Sequence, residues 1–301
     1  MIDDLKVKYY ERLIKPYTKG GKKKFAIEQF LRGAGNELSD KFWHEISSSR
    51  MAFDLYSWMQ NGEYDNVITD FEFEYPLPPL NSGGMGPNMD VFIETKDELI
   101  FIESKFTEKA NLNYKNKNNK GETYLSPGYY AETHGSKKMP LEERFYRYPY
   151  ARKFAEFCEE WEKVMTNPEN AQWRMRGFVD WFEPKQETCH LCGILFFLFD
   201  EKNKSRIKGK SVRLYNVYWQ MAGDNSDIEN AFCSRAQELI DDILKNNNPG
   251  VKDFKIKAFS VQEMLSGKEN LSEHIKFPPE VIDNVMKRNE AIVGNKQRGK
   301  V

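Results

Sequence analysis

Two carboxylates and a lysine stand close together in the stretch GPNMDVFIETKDELIFIESKFTE, Gly86 to Glu108: Asp90, Glu103 and Lys105. Side chains alternate along a strand, so Glu103 and Lys105 share one face of any strand that holds both. Two carboxylates set side by side without a counter-ion repel. A divalent cation between them turns that cost into a binding site, and Mg²⁺ favours one or two carboxylates completed by water and phosphate oxygens. A lysine on the same face can orient a water or offset charge building on a phosphate. Together these residue types suit metal-assisted hydrolysis of a phosphate ester.

The elements that must position them are two strands and a tight turn. Val91, Phe92 and Ile93 lie in the first strand, and Leu99-Ile100-Phe101-Ile102 in the second. Thr95-Lys96-Asp97-Glu98 is the polar turn between them. A turn centred between Lys96 and Asp97 sets Asp90 directly opposite Glu103, with Cβ atoms roughly 4.5–5.5 Å apart. A slip of one residue would move Asp90 to the other face. The four-residue apolar run ending in Glu103-Ser104-Lys105 predicts a strand covered on both faces, with one end at a polar site.

This arrangement resembles the PD-(D/E)XK nuclease superfamily, the fold of many restriction endonucleases. Asp90 matches the motif's Asp, and Glu103-Ser104-Lys105 its ExK. Asn88 and Met89 separate Pro87 from Asp90, so the literal Pro-Asp pair is absent. The resemblance implies a helix before the catalytic sheet that carries a third acid toward the metal. Glu37, at a glycine-rich junction, is the first candidate, and Glu45 is the other. It also implies a helix after the ExK strand, at whose start some members carry a functional Gln or Tyr. In the helix expected from Leu141 to Thr166 that region reads Tyr148-Pro149-Tyr150-Ala151-Arg152, without a Gln. Mg²⁺ or Mn²⁺ is the implied cofactor, held by Asp90, Glu103 and Glu37, and DNA the implied substrate.

Composition narrows the classes. The chain has 301 residues and a formal net charge of −1, so contact with nucleic acid must rest on local patches. No apolar run approaches the ~18 residues that span a bilayer. The start, Met1-Ile2-Asp3-Asp4, does not read as a signal peptide. The cysteines, Cys158, Cys189, Cys192 and Cys233, then read as reduced thiols in a cytoplasmic protein. Cys189-His190-Leu191-Cys192 is a lone C-x-x-C, and a structural zinc site needs about four ligands. Buried cysteines at the entrance of a strand are the preferred reading.

Along the chain, the pattern predicts a short N-terminal helix and a flexible basic loop at Lys19 to Lys24. A helix from Phe25 to Leu38 and a second, capped by Ser39-Asp40, from Lys41 to about Gln60 follow. Asn66 to Tyr75 alternates as a strand, and Pro76 to Gly86 is a loop. From Lys105 to Lys153 there are eleven Lys or Arg against five Glu, interleaved with tyrosines. Cations that pair with phosphates and rings that stack on bases suit nucleic acid. Lys115, Lys117, Lys120, Arg147 and Arg152 are the candidate contacts. Strands are expected at His190 to Asp200, Ser211 to Gln220 and Phe254 to Val261. Helices are expected at Asp227 to Lys245 and from Pro278 onward.

The resulting expectation is an α/β fold: a restriction endonuclease-like core with a central mixed sheet flanked by helices and a C-terminal elaboration. No linker is visible, so residues 1–301 read as one domain, with a core of about 25–220 and an extension of about 221–301. The expected activity is metal-dependent DNA endonuclease, in restriction, phage defence or repair, with no membrane partner; a homodimer is compatible with it. The alternative is a non-catalytic nucleic-acid-binding or interaction module on the same fold.

Overall fold

The structure is a computed structural model. It describes residues 2–33, 38, 41–44, 47–78, 86–106, 153–154, 156–157, 160–161, 184–220 and 227–297. Its centre is a five-stranded mixed sheet in the order β3-β4-β5-β6-β7. These strands are Ile68–Pro76, Asn88–Thr95, Glu98–Lys105, Ser211–Tyr218 and Asp253–Ser260. β3, β4 and β5 run antiparallel, and β6 and β7 continue parallel to β5. β5 is therefore the middle strand, covered on both faces as its apolar run requires.

Alternation divides the sheet between two cores. Val91, Ile93, Ile100, Ile102, Tyr215, Val217 and Phe259 face α1 (Ile2–Ile14), α2 (Ala26–Arg32), α3 (Ser48–Tyr56) and the C-terminal α8 (Pro279–Gln297). Phe92, Leu99, Phe101, Val212, Leu214, Phe254 and Ile256 face α4 (Pro184–Phe199) and α6 (Asp227–Asn246). Two short helices, α5 (Lys204–Ile207) and α7 (Val261–Leu265), flank β6 and β7. Ser260 and Glu263 start α7 with a reciprocal capping box.

Several expectations are corrected. The apolar run from His190 to Asp200 is not a strand but most of α4. A short apolar run cannot be told from a buried helix by periodicity, and α4 is buried on nearly all sides from Glu187 to Leu198. Cys189 and Cys192 thus sit inside a helix, buried like Cys233 and not in a disulfide. The helix expected over Lys41 to Gln60 is three pieces: a turn at Lys41–Trp43, α3, and a turn at Ser57–Gln60. Ser47 begins α3 by accepting the Arg50 N–H at 3.2 Å. α2 is shorter than expected and ends at Gly33.

The basic run at Lys19 to Lys24 is a hairpin of β1 (Pro16–Lys19) and β2 (Lys22–Phe25), not a flexible loop. Gly20 and Gly21 turn it with φ of 60° and 71°, the left-handed pair that a two-residue hairpin requires. Two of its four lysines are spent on the fold, while Lys22 and Lys23 are exposed. Buried Lys19 pairs with Asp65, and buried Lys24 pairs with Asp70 and with Glu72 at 2.8 Å.

Asp54 of α3 ties three helices together. It accepts from Tyr9 of α1 at 2.6 Å, from Arg12 at 3.2 Å and from Arg288 of α8 at 2.7 Å. The described positions between 153 and 161 are helical, as predicted for that region.

Candidate active site

The hairpin carries the register read from its turn. Val91 pairs with Ile102, Phe92 with Phe101, Ile93 with Ile100 and Glu94 with Leu99. Thr95 Oγ1 accepts the N–H groups of Asp97 and Glu98 and fixes the turn. The β4–β5 pairing stops at Val91 and Ile102. Just beyond, the Ser104 N–H donates to Asp90 Oδ2 at 2.6 Å. A side-chain carboxylate thus takes a backbone donor of β5, between Glu103 and Lys105. Lys105 Nζ donates to Glu103 Oε1 at 2.6 Å. Asp90, Glu103 and Lys105 are therefore brought together at the C-terminal end of the middle strand.

α4 lies over this end and places one stripe of residues along it: Gln186, His190, Gly193 and Phe197, at helical spacing. Gln186 Nε2 donates to Glu103 Oε1 at 2.8 Å, and Gln186 Oε1 accepts from Lys105 at 2.9 Å. Buried His190 holds Nε2 at 3.9 Å from Glu103 Oε2. Burial lowers the His190 pKa despite the nearby Glu103, so the ring is neutral and this contact is not an ion pair. Gly193 lets the helix approach the base of the β3–β4 connection. A Cβ there would lie 2.9 Å from Leu77 Cβ and 3.0 Å from Pro87 Cγ. Phe197 packs edge-on against Tyr75 and Phe101.

The Asp90 carboxyl is held well above the usual carboxylate range. Burial of the group is the largest cause, followed by the charges of Glu103 and then Glu74; Lys105 and the Ser104 N–H oppose them. Glu74 is on β3. Phe73 pairs with Val91 and Tyr75 with Met89, so Glu74 stands opposite Asp90 in the register. Phe73 and Val91 face one core, whereas Tyr75 and Met89 join the other. The ribbon therefore turns over at the Glu74–Asp90 step. Glu74 has φ of +46°, the backbone feature at that turnover.

These donors fit a hard cation. Glu103 is 3% exposed, and its Oε2 accepts no hydrogen bond among the described residues. With Asp90 that sets two carboxyl groups side by side, the donor set Mg²⁺ uses with water. Among the described residues, no group of three or more His, Cys, Asp or Glu is placed to hold a metal ion.

The other predicted site residues, Glu37, Glu45, Lys115, Lys117, Lys120, Arg147 and Arg152, lie outside the described residues. The sequence pattern alone does not single out Gln186, His190 or Glu74. Gln186 is in the first turn of α4, which packs over β5, whereas the helix named for a functional Gln or Tyr is the earlier one from Leu141 to Thr166. Its signal is the i, i+4 spacing with His190 ahead of an apolar run, hidden once that run is read as a strand.

A mixed sheet with this αβββαβ order, an Asp on one hairpin strand and an ExK ending the next, defines a restriction endonuclease-like protein of PD-(D/E)XK type. The chain belongs to the family described as restriction endonuclease associating with ARP, whose model matches residues 9–175, more than half its length. No curated protein and no solved structure gives a significant match.

Proposed function

We propose that this chain is a metal-dependent nuclease that hydrolyses phosphodiester bonds in DNA, with Asp90, Glu103 and Lys105 at its centre. The observation that carries the reading is the seating of the Asp90 carboxylate on the Ser104 N–H, between Glu103 and Lys105. A hairpin stabilised for its own sake has no use for two repelling acids at the end of a buried strand. Membership of a restriction endonuclease-like family supports the same chemistry.

Asp90 and Glu103 hold Mg²⁺ or Mn²⁺. When bound, the cation supplies positive charge that lowers the pKa of water and offsets charge on the phosphate. Lys105 orients the attacking water and balances charge that builds on the phosphoryl oxygens. Gln186 fixes the spacing of Lys105 and Glu103 through one hydrogen bond to each. His190, neutral and buried, closes the inner side of the site against water. The basic segment containing Lys115, Lys117 and Lys120, with Arg147 and Arg152, binds the DNA backbone. Restriction, phage defence and repair are all served by this chemistry.

The test is nicking of supercoiled plasmid by the full chain with Mg²⁺, Mn²⁺ or chelator. Metal-dependent nicking is expected, abolished in Asp90→Asn and Glu103→Gln. Lys105→Ala should be slower by about 10²–10³-fold, the scale for removal of one charge-stabilising donor. Nicking that survives chelator, or that is unchanged in Asp90→Asn, overturns the reading.

A further inference from the structure

We propose that Asn216 is a positioning residue for Glu103: its side-chain amide donates to the Oε2 atom of that carboxylate and holds it in the orientation that binds the metal. This rests on the nuclease reading and deepens it. Parallel pairing sets the two residues side by side, because Glu103 of β5 is the register partner of Asn216 of β6. Register partners share a face, and adjacent strands lie about 4.8 Å apart. Alternation fixes which face this is. Val212 and Leu214 join the core under α4 and α6, whereas Tyr215 and Val217 join the other core. Asn216 therefore continues the stripe of Val212 and Leu214. It does so at the level where β5 changes from Phe101, beside Leu214, to Glu103.

The observation that carries this is the amide itself. Asn216 is 4% exposed, and neither its nitrogen nor its oxygen makes a hydrogen bond among the described residues. Ala258, its register partner on β7, has no polar side-chain atom to offer. The Cys233 thiol of α6 interacts with it, but a thiol is a weak donor and a weak acceptor. Buried amides without partners are uncommon, and each costs more stability than a hydrogen bond that is made returns. Packing alone does not ask for an amide here, since valine would continue the stripe and suits a strand better. Beside Asn216 stands an acceptor that also lacks a hydrogen bond among the described residues, Glu103 Oε2. The other oxygen, Oε1, is already held by Lys105 and Gln186. Carboxylates that ligate a metal are themselves hydrogen-bonded. Lys105 and Gln186 do this for one oxygen of Glu103, and Asn216 does it for the other.

The experiment compares Asn216→Val and Asn216→Thr with wild type in the full chain. Valine and threonine have nearly the same shape, and only threonine carries a donor. Mn²⁺ affinity is measured by calorimetry, melting temperature in chelator, and kcat and KM by plasmid nicking. Asn216→Val should bind Mn²⁺ about 10–100-fold more weakly than wild type. It should nevertheless melt at a higher temperature in chelator, because a buried amide without a partner is gone. Asn216→Thr should recover part of the lost affinity, and kcat should follow the affinity while KM for DNA stays. Asn216→Ala and Asn216→Ser differ in the same single hydroxyl and serve as the second pair if Asn216→Val does not fold. Wild-type Mn²⁺ affinity in Asn216→Val would overturn the proposal, as would equal losses with and without the hydroxyl. If Mn²⁺ is bound by wild type and lost in Asp90→Asn, either result leaves the nuclease reading standing. No Mn²⁺ bound by wild type would overturn both.

Discussion

Gln186 and Glu103 are joined by a hydrogen bond of 2.8 Å between a helix and the middle strand of the sheet, and Gln186 takes the Lys105 ammonium at 2.9 Å with its other atom. One amide thus spaces the acid and the lysine of the ExK motif. Outer-shell partners of this kind typically change metal affinity or activity by about 10–100-fold when removed. Gln186→Ala should therefore lower Mn²⁺ affinity and cleavage within that range while the protein stays folded. Gln186→Glu should disturb Lys105 differently, because it adds a third negative charge beside Glu103. Parallel calorimetry and single-turnover cleavage check this; wild-type values for both variants would remove Gln186 from the site.

Asp90 makes the metal-free protein sensitive to pH in a defined direction. Its folded pKa is raised by burial first and by Glu103 and Glu74 next. The folded state then holds a proton that the unfolded chain gives up near pH 4. Stability without metal should fall as pH rises from about 4 toward the raised folded value. Asp90→Asn should flatten that slope. Metal binding should release a proton and tighten with pH. Thermal melts across pH with chelator, and calorimetry in buffers of different ionisation enthalpy, provide the check. A metal-free protein that gains stability over this window would contradict it.

Gly193 sets two effects against each other. Alanine in a helix interior is better than glycine by about 1 kcal/mol. The added Cβ would meet Leu77 at 2.9 Å and Pro87 at 3.0 Å, and overpacking of that kind costs about 1–3 kcal/mol. The clash should win, so Gly193→Ala should be destabilising and should weaken metal binding through the connection that leads into β4. Denaturant melts decide the sign.

Lys115, Lys117 and Lys120 separate binding from chemistry. Neutralising all three should reduce DNA affinity and flatten its salt dependence by about 0.9 log units for each duplex phosphate no longer neutralised. Cleavage at saturating protein should persist. Lys105→Ala should do the reverse, keeping affinity while cleavage slows by about 10²–10³-fold. Titrations at several salt concentrations, run beside a nicking assay, test both; an unchanged salt slope in the triple variant would remove that segment from the DNA surface.

The hairpin was legible because its information is local. Lys96-Asp97 fixes the turn, the turn fixes the register, and period-two alternation then assigns faces. β3, β6, α6 and β7 were legible for the same reason. The rest depends on residues brought together from far apart in the chain. α4 has little amphipathic contrast because it is buried nearly all round, so its apolar run looks like a strand. With α4 read as a strand, Gln186 and His190 have no geometry. Glu74 sits mid-strand in an alternating sequence, and its left-handed backbone leaves no mark in residue type. Lys19 and Lys24 of the β1–β2 hairpin look free until Asp65, Asp70 and Glu72 are brought to them by the fold.

The most direct measurement is a crystal of the full chain soaked in Mn²⁺, with anomalous density collected at the manganese edge. The expected result is a peak bounded by the carboxylates of Asp90 and Glu103, with Lys105 beside it. Crystals that diffract well and take up Mn²⁺ elsewhere, or not at all, while Lys105 stays seated on Glu103, would contradict it.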